Sequence, residues 1–321
     1  TYGEADPTLT SQLSGDSTLA PGQKLSDLVT LTREPGEDVG TYTINGTSKS
    51  NNYTFEITPS KLTINKRAIT IQVDNQSKTY DDTASTDPEL TWQIVSQEGL
   101  AENDTRDMLN VSLQKQAGED VGHYAITGTY DNANYAVKFV DGTFLINPRV
   151  VAVTIDPQEK TYGEPDPTLT SQLSDGSTLA SGQRLEDLVT LTRKPGEDVG
   201  TYTINGASRS NDYTFEITPS KLTINKRAIT VQVDNQSKTY DNATSTDPTL
   251  TWRIVSQEGL AENDTRDMLN VSLQKQAGED VGHYAIMETF DNPNYDAQFI
   301  DGTLLINPRV VAVIIDPQEK T

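Results

Sequence analysis

The chain has no cysteine, and only two histidines, two tryptophans and three methionines among its 321 residues. Without cysteine there are no disulfide staples and no thiolate metal sites, although this alone fixes no compartment. Aromatic residues are thin at 7%, and hydrophobic residues reach only 34%. That is too little for one large core but workable for several small ones. Positive charge is also scarce: 25 Lys and Arg stand against 47 Asp and Glu, a formal net charge of −22. Phosphate recognition needs clustered Lys and Arg, so nucleic acid is not an expected partner, and an anionic membrane surface would repel the chain. No apolar run approaches the roughly 18 residues of a membrane helix, so no membrane insertion is expected, and no signal-peptide pattern opens the sequence. The acidic residues are scattered along the chain and gather into no tail, which suits a solvating surface.

Thr, Ser, Asn, Asp and Gly are abundant, as in strands with polar outer faces joined by turns. One stretch organises them. Gly36 to Asn45 reads GEDVGTYTIN, and it returns as GEDVGHYAI from Gly118, GEDVGTYTI from Gly196 and GEDVGHYAI from Gly278. Each copy is an acidic, Gly-rich turn feeding a strand, with Gly40, Tyr42 and Ile44 on one face and Thr41 and Thr43 on the other. Recurrence every 78 to 82 residues means a tandem array.

Residues 1–160 align without gaps on 161–320, with 26 differences. A weaker half-period lies within each 160: Asn52-Tyr53 matches Asn134-Tyr135, and the KLTIN run from Lys61 matches TFLIN from Thr143. The order is A-B-A-B, with repeat A1 at 1–66, B1 at 67–148, A2 at 149–226, B2 at 227–308, and the start of a further repeat at 309–321. Opening at Thr1-Tyr2-Gly3 and stopping at Lys320-Thr321, the sequence reads as a piece of a longer array. On this phasing repeat A1 lacks its opening strand, and Arg309 to Ile315 is a spare copy of it. A spare strand beside a vacant slot invites head-to-tail strand donation between chains. A different cut of the fragment, or a strand that closes the preceding repeat, explains the phase without donation, and a monomer is the expected state.

Each repeat is predicted to be β with little helix. Tyr53, Phe55 and Ile57 alternate with polar residues, as do Ile69, Ile71 and Val73, and Leu90, Trp92 and Ile94 share a face. Asp141-Gly142 is expected to form a hairpin turn between the strand of Tyr135, Val137 and Phe139 and the strand of Phe144 and Ile146. Helix is confined to a turn or two near Leu25 to Val29 and Asn103 to Leu109, where Asp104 or Thr105 could cap. The expected fold class is all-β: four small antiparallel β-sandwich or β-grasp-like domains in an elongated rod. Linkers such as Asn65-Lys66 and Asn147-Pro148 are short and carry no Gly/Ser tract, so stiff joints are expected. Four units end to end would span on the order of 140 Å.

Four features then stand together: Lys78-Thr79-Tyr80-Asp81, the GEDVGHY run at Gly118, Asn134-Tyr135, and the DGTFLI run at Asp141. With them the chain resembles the MBG and YDG repeats of large bacterial surface adhesins. Thr1-Tyr2-Gly3 and Thr161-Tyr162-Gly163 resemble the YGX type, and Tyr80-Asp81-Asp82 and Tyr240-Asp241-Asn242 the YDG type with its Gly replaced. The resemblance implies an extracellular, cell-wall-attached or secreted fibrillar protein, with adhesion to mucin or host surfaces assigned to the parent. It brings no catalytic residues.

The residues themselves agree that no enzyme is expected. His123 and His283 occupy one repeat position on the outward strand face, and that position is Thr41 and Thr201 in the A repeats. For metal, the loop carrying Glu102, Asp104 and Asp107, and its copy with Glu262, Asp264 and Asp267, supplies hard oxygen ligands suited to calcium. These loops lack the EF-hand spacing, so solvated acidic turns are the competing reading. Trp92 and Trp252 could stack on sugars, but their face is shared with Leu90, Ile94, Leu250 and Ile254, which favours core packing. Lys61 is the candidate for a Lys–Asn crosslink; alternation turns it outward, and the B repeat has Thr143 there. We therefore expect stalk or spacer repeats that project a distal binding domain, with neighbouring repeats as their main partners. The rival is an array whose repeats each bind mucin or host glycans weakly, with avidity.

Overall fold

The computed structural model describes residues 1–174 and 176–318. The chain forms two compact units, Thr1–Arg149 and Val150–Thr321, and each is described by itself.

In the first unit, repeat B1 shows the complete plan. Its strands are β4 (Arg67–Val73), β5 (Gln76–Thr79), β6 (Trp92–Ile94), β7 (Ser112–Lys115), β8 (Gly122–Thr129), β9 (Tyr135–Val140) and β10 (Gly142–Asn147), which follow β1 to β3 of repeat A1. They form a three-stranded sheet in the order β6-β4-β9 and a four-stranded sheet in the order β5-β10-β8-β7. Alternation puts Ile69, Ile71 and Val73 of β4 inward at no more than 2% exposure, with Tyr135, Ile126, Phe144 and Ile146 fully buried. The result is a small sandwich whose inner faces hold one core of a few large side chains.

The strand pairings show two features beyond simple alternation. Both sheets are mixed, because β4 runs parallel to β9 and β5 parallel to β10. Residues 141–142 do not make the expected hairpin: β9 and β10 are consecutive but lie in different sheets. The chain changes sheet where it passes close to the end of β4, and a Cβ on Gly142 would sit 2.8 Å from the Asp74 carbonyl oxygen. Only glycine allows that crossing.

Repeat A1 retains one sheet, formed by β1 (Val29–Arg33), β2 (Gly40–Ser48) and β3 (Ser60–Ile64) in that order. Residues 53–58, predicted to be a strand, have no regular structure, whereas the matching Tyr213–Thr218 of repeat A2 is a strand. The difference is the partner. In A2, Arg149–Ile155 lies between Ser171–Leu173 and Tyr213–Thr218, and among the described residues no such strand lies beside 53–58. Alternation without a neighbour leaves backbone groups to water and forms no strand.

The second unit repeats the plan. In A2 the four-stranded sheet runs Gln158–Thr161, Ser220–Asn225, Gly200–Ser208 and Val189–Arg193; B2 has the strand order of B1. Helix is limited to single turns such as Leu25–Leu28 and the 3-10 turn Arg106–Leu109. Thr105 is the N-cap of the latter but makes no side-chain cap bond.

Candidate functional site

The recurring GEDVG turn is a clasp made of its own strand's tyrosine. The hydroxyls of Tyr42, Tyr124, Tyr202 and Tyr284 donate to the carbonyls of Asp38, Asp120, Asp198 and Asp280 at 2.7–2.8 Å. The ring lies on the first glycine of the turn. Gly118 has φ +144°, and a Cβ there would meet the Tyr124 ring at 2.2 Å. Two demands, a backbone conformation and a close approach, therefore fix glycine at this position.

The turn's glutamate belongs to an ion-pair cluster at the end of the four-stranded sheet. In B1, Lys78 Nζ lies 2.6 Å from Asp87 and 2.7 Å from Glu119, and Lys115 Nζ lies 2.7 Å from each of the same two carboxylates. In A2, Lys160 meets Asp166 at 2.7 Å and Glu197 at 2.5 Å, with Arg193 on the same pair. B2 rebuilds the B1 arrangement with Lys238, Lys275, Asp247 and Glu279. Burial alone pushes the Asp87 and Glu119 carboxyls up, but hydrogen bonds from Lys115 and Lys78 outweigh it and hold both below the usual range. Hydrogen bonding to Arg193 does the same for Asp166. Burial would lower the Lys78 ammonium, yet its three carboxylate partners hold its pKa well above that of a free lysine. The Asp of each repeat's Asp-Pro and the Glu of its GEDVG turn, 31 or 32 residues further on, are thus clamped together.

Within each unit the same turn also builds the joint between A and B repeats. The Asp38 carboxylate accepts from Asn134 Nδ2 at 2.8 Å, and the Val39 N–H donates to Asn134 Oδ1 at 2.9 Å. Tyr2 of A1 packs edge-on against Tyr135 of B1. Both hydroxyls donate to Asp104, Tyr135 at 2.6 Å and Tyr2 at 3.3 Å. Arg67, the first residue of β4, donates to the carbonyls of Glu98, Gly99 and Tyr2. Gly3 has φ +77°, and a Cβ there would come within 2.4 Å of Ala101 Cβ, so the Tyr-Gly of the A repeat fits flush against B1. The second unit reproduces every one of these contacts through Asp198, Asn294, Tyr162, Tyr295, Asp264 and Arg227. A linker of only Asn65-Lys66 joins β3 to β4, so the joint is a packed interface with little free chain.

The sequence-derived site residues fall as follows. Asp104 and Asp264 are taken up by tyrosine hydroxyls. Asp107 and Asp267 lie in 3-10 turns, and Glu102 and Glu262 are exposed. Among the described residues, no three His, Asp or Glu side chains gather in a way that could hold a metal ion. His123 and His283 are exposed on their strands. Trp92 is half-buried against the core of Ile69, Ile71 and Leu109, and the Arg106 guanidinium covers its other face 4.0 Å from the ring centroid. Lys61 is exposed on β3. Sequence reasoning missed the buried Lys160 and the partly buried Lys78. Gln76-Ser77-Lys78-Thr79 and Gln158-Glu159-Lys160-Thr161 are polar throughout, so nothing on the strand itself marks the lysine as inward.

Clasps, ion-pair clamps and packed joints recur through an array of small β repeats. The chain belongs to the family of MBG domains of the YGX type, whose model matches residues 1–63, 69–145, 151–223 and 229–305. The match includes both B repeats, which carry Tyr-Asp where the A repeats carry Tyr-Gly. Repeats of this kind are typical of extracellular surface proteins. No curated protein matches the chain. Among solved structures it is similar to Drosophila N-cadherin EC1-3, at 11% identity over 60% of this chain and 79% of that one, with a TM-score of 0.20. It is also similar to the three N-terminal domains of the bacteriophage RB49 outer capsid protein Hoc, at 14% identity over 88% and 99%, with a TM-score of 0.19. Neither score reaches the level of a shared overall fold.

Proposed function

We propose that these repeats are a spacer in the stalk of a bacterial surface adhesin, holding a distal binding domain away from the cell wall. The observation that carries this reading is the A–B joint. A spacer transmits position only if its joints resist bending, and here a two-residue linker is locked by a half-buried arginine, an aromatic pair and an asparagine–turn contact. That joint recurs with the same residues in both units, as expected where length matters more than distinct surfaces. The net charge of −22 keeps neighbouring stalks apart and soluble. The half-buried tryptophans, the best aromatic candidates for sugar stacking, have Arg106 and Arg266 on their outer faces, which favours the spacer over glycan binding.

Small-angle X-ray scattering on the chain, with and without calcium, tests the reading. A maximum dimension on the order of 140 Å, unchanged by calcium, is the expected result. Extension only with calcium would make the acidic loops structural sites. A compact particle would overturn the spacer reading.

A further inference from the structure

The two B repeats hold a lysine amine against a carboxyl group under cover. Lys78 Nζ lies 2.6 Å from Asp87 Oδ1 and 2.7 Å from Glu119 Oε2; in B2, Lys238 Nζ lies 2.5 Å from Asp247 Oδ1 and 2.7 Å from Glu279 Oε2. Both lysine side chains are 7% exposed, and the four carboxylates between 17% and 23%. The two carboxylates of each cluster are used differently. Glu119 accepts a lysine hydrogen bond on each oxygen, from Lys78 and from Lys115, and Glu279 does the same with Lys238 and Lys275. Asp87 Oδ1 and Asp247 Oδ1 are buried and, among the described residues, no hydrogen bond of ordinary geometry ends on them. A buried anionic oxygen without directed hydrogen bonds is costly, and taking up a proton from the lysine beside it relieves that cost.

We propose that each B repeat closes an amide bond between this lysine and this aspartate, Lys78 Nζ to Asp87 Cγ and Lys238 Nζ to Asp247 Cγ, with Glu119 and Glu279 as proton carriers. The Lys78 ammonium passes one proton to Asp87 Oδ1, which leaves a neutral amine facing a neutral carboxyl. Burial favours this exchange, because two charges vanish together. The amine attacks Cγ while Lys115 Nζ, 2.7 Å from Oδ2, stabilises the negative charge gathering on that oxygen. A second proton moves from Nζ to Glu119 and on to Oδ1 as the Cγ–Oδ1 bond breaks. One water departs, the amide keeps one hydrogen on its nitrogen, and Glu119 ends ionised as it began. Contact within the fold replaces the encounter of two molecules, which lowers the barrier to such a condensation.

Repeat A2 supplies the contrast. There Arg193 donates to both oxygens of Asp166, Lys160 donates to Oδ1 as well, and Asp166 is 40% exposed. That carboxylate is fixed as an anion, and no bond is expected in A2. In B1 the bond joins β5 to the residue that ends the 3-10 turn Ala84–Thr86, and so ties the edge of the four-stranded sheet to the chain that leads into β6 of the other sheet. Asp87 and Asp247 then no longer titrate, and Glu119, Asp166 and Glu197 carry the response to acid. The proposal stands independently of the spacer reading.

Intact-mass spectrometry of the unfolded 321-residue chain is the test. The chain should be two waters lighter than its sequence, with fragmentation placing one loss between Lys78 and Asp87 and the other between Lys238 and Asp247. Glu119→Gln should be one water lighter than its own sequence, the remaining loss in B2 showing that the chain still folds and reacts. Lys78→Arg keeps the positive charge but stays protonated, and should likewise retain the B2 loss alone. The full sequence mass in the parent chain would overturn the proposal. So would water losses mapped to other sites, such as a succinimide at Asp141-Gly142, or a Glu119→Gln chain that keeps both losses.

Discussion

Tyr2 stands edge-on to Tyr135, ring centroids 5.5 Å apart at 74°, and the two hydroxyls, one from each repeat, end on the single carboxylate of Asp104. One acidic side chain thereby serves both the B1 core and its joint to A1. Asp104→Ala leaves the buried Tyr135 hydroxyl without its short bond and the Tyr2 hydroxyl without its bond to Asp104. Loss of about 1–3 kcal/mol of stability is expected, read as a lower urea midpoint. Asp104→Asn keeps an acceptor and should lose less. Equal midpoints for all three chains would mean that water replaces the carboxylate at no cost.

The GEDVG clasp makes a second comparison. Gly118→Ala must place a methyl group inside the Tyr124 ring at a φ of +144°, so both strain and displacement apply, together about 3 kcal/mol. Gly99→Ala is the control: its φ is +57°, but nothing lies within 4 Å of a Cβ there. Only the left-handed backbone cost of about 1 kcal/mol is expected. Thermal denaturation of the two variants should separate them clearly, and equal losses would remove the ring from the explanation.

Stability should fall on both sides of neutrality, for different groups. Asp87, Glu119, Asp166, Glu197 and Asp247 are held below their usual carboxyl range by their Lys and Arg partners. The unfolded chain takes up these protons first, so the contribution is complete above a pH of about 4–5 and lost as pH falls through the folded values. Tyr135 behaves oppositely. Burial, then its bond to Asp104, pushes it up to about 12, so its contribution is present below about 10 and is lost between about 10 and 12. Burial raises Tyr295 in the same way. Melting temperature against pH should show both limbs. Tyr135→Phe with Tyr295→Phe should shrink the alkaline limb and leave the acid limb in place; an unchanged alkaline limb would exclude the tyrosines as its source.

Much of this architecture was legible because repetition did the averaging. The GEDVG turn, the alternation of Ile69, Ile71 and Val73, and the outward His123 follow from period and composition alone. What was not legible depends on distant neighbours. Asp141-Gly142 has hairpin chemistry, but the segment before it pairs with β4, 68 residues back, and the segment after it with β8 in the other sheet, and so the turn becomes a crossover. The bonds that Asp104 accepts could not be read, because Tyr2 and Tyr135 reach it from 102 and 31 residues away. Lys78 looks like any surface lysine until Asp87 and Glu119 close over it. Alternation likewise marks Tyr53, Phe55 and Ile57 as a strand, and that pattern is correct for the repeat but not for a copy that lacks the partner.

That last contrast gives a prediction within one molecule. Residues 53–58 and 213–218 differ in no position of the sequence YTFEIT, so their intrinsic amide exchange rates are the same apart from the residues preceding them. Tyr213–Thr218 is a paired strand with Tyr213 5% exposed, whereas 53–58 is unpaired and Tyr53 only half-buried. Hydrogen exchange should therefore be fast across 53–58 and slow across 213–218, because only the latter must open a sheet to exchange. Equal protection of the two segments in dilute solution would mean that repeat A1 closes its sheet without an opening strand, and that the strand is dispensable to the fold.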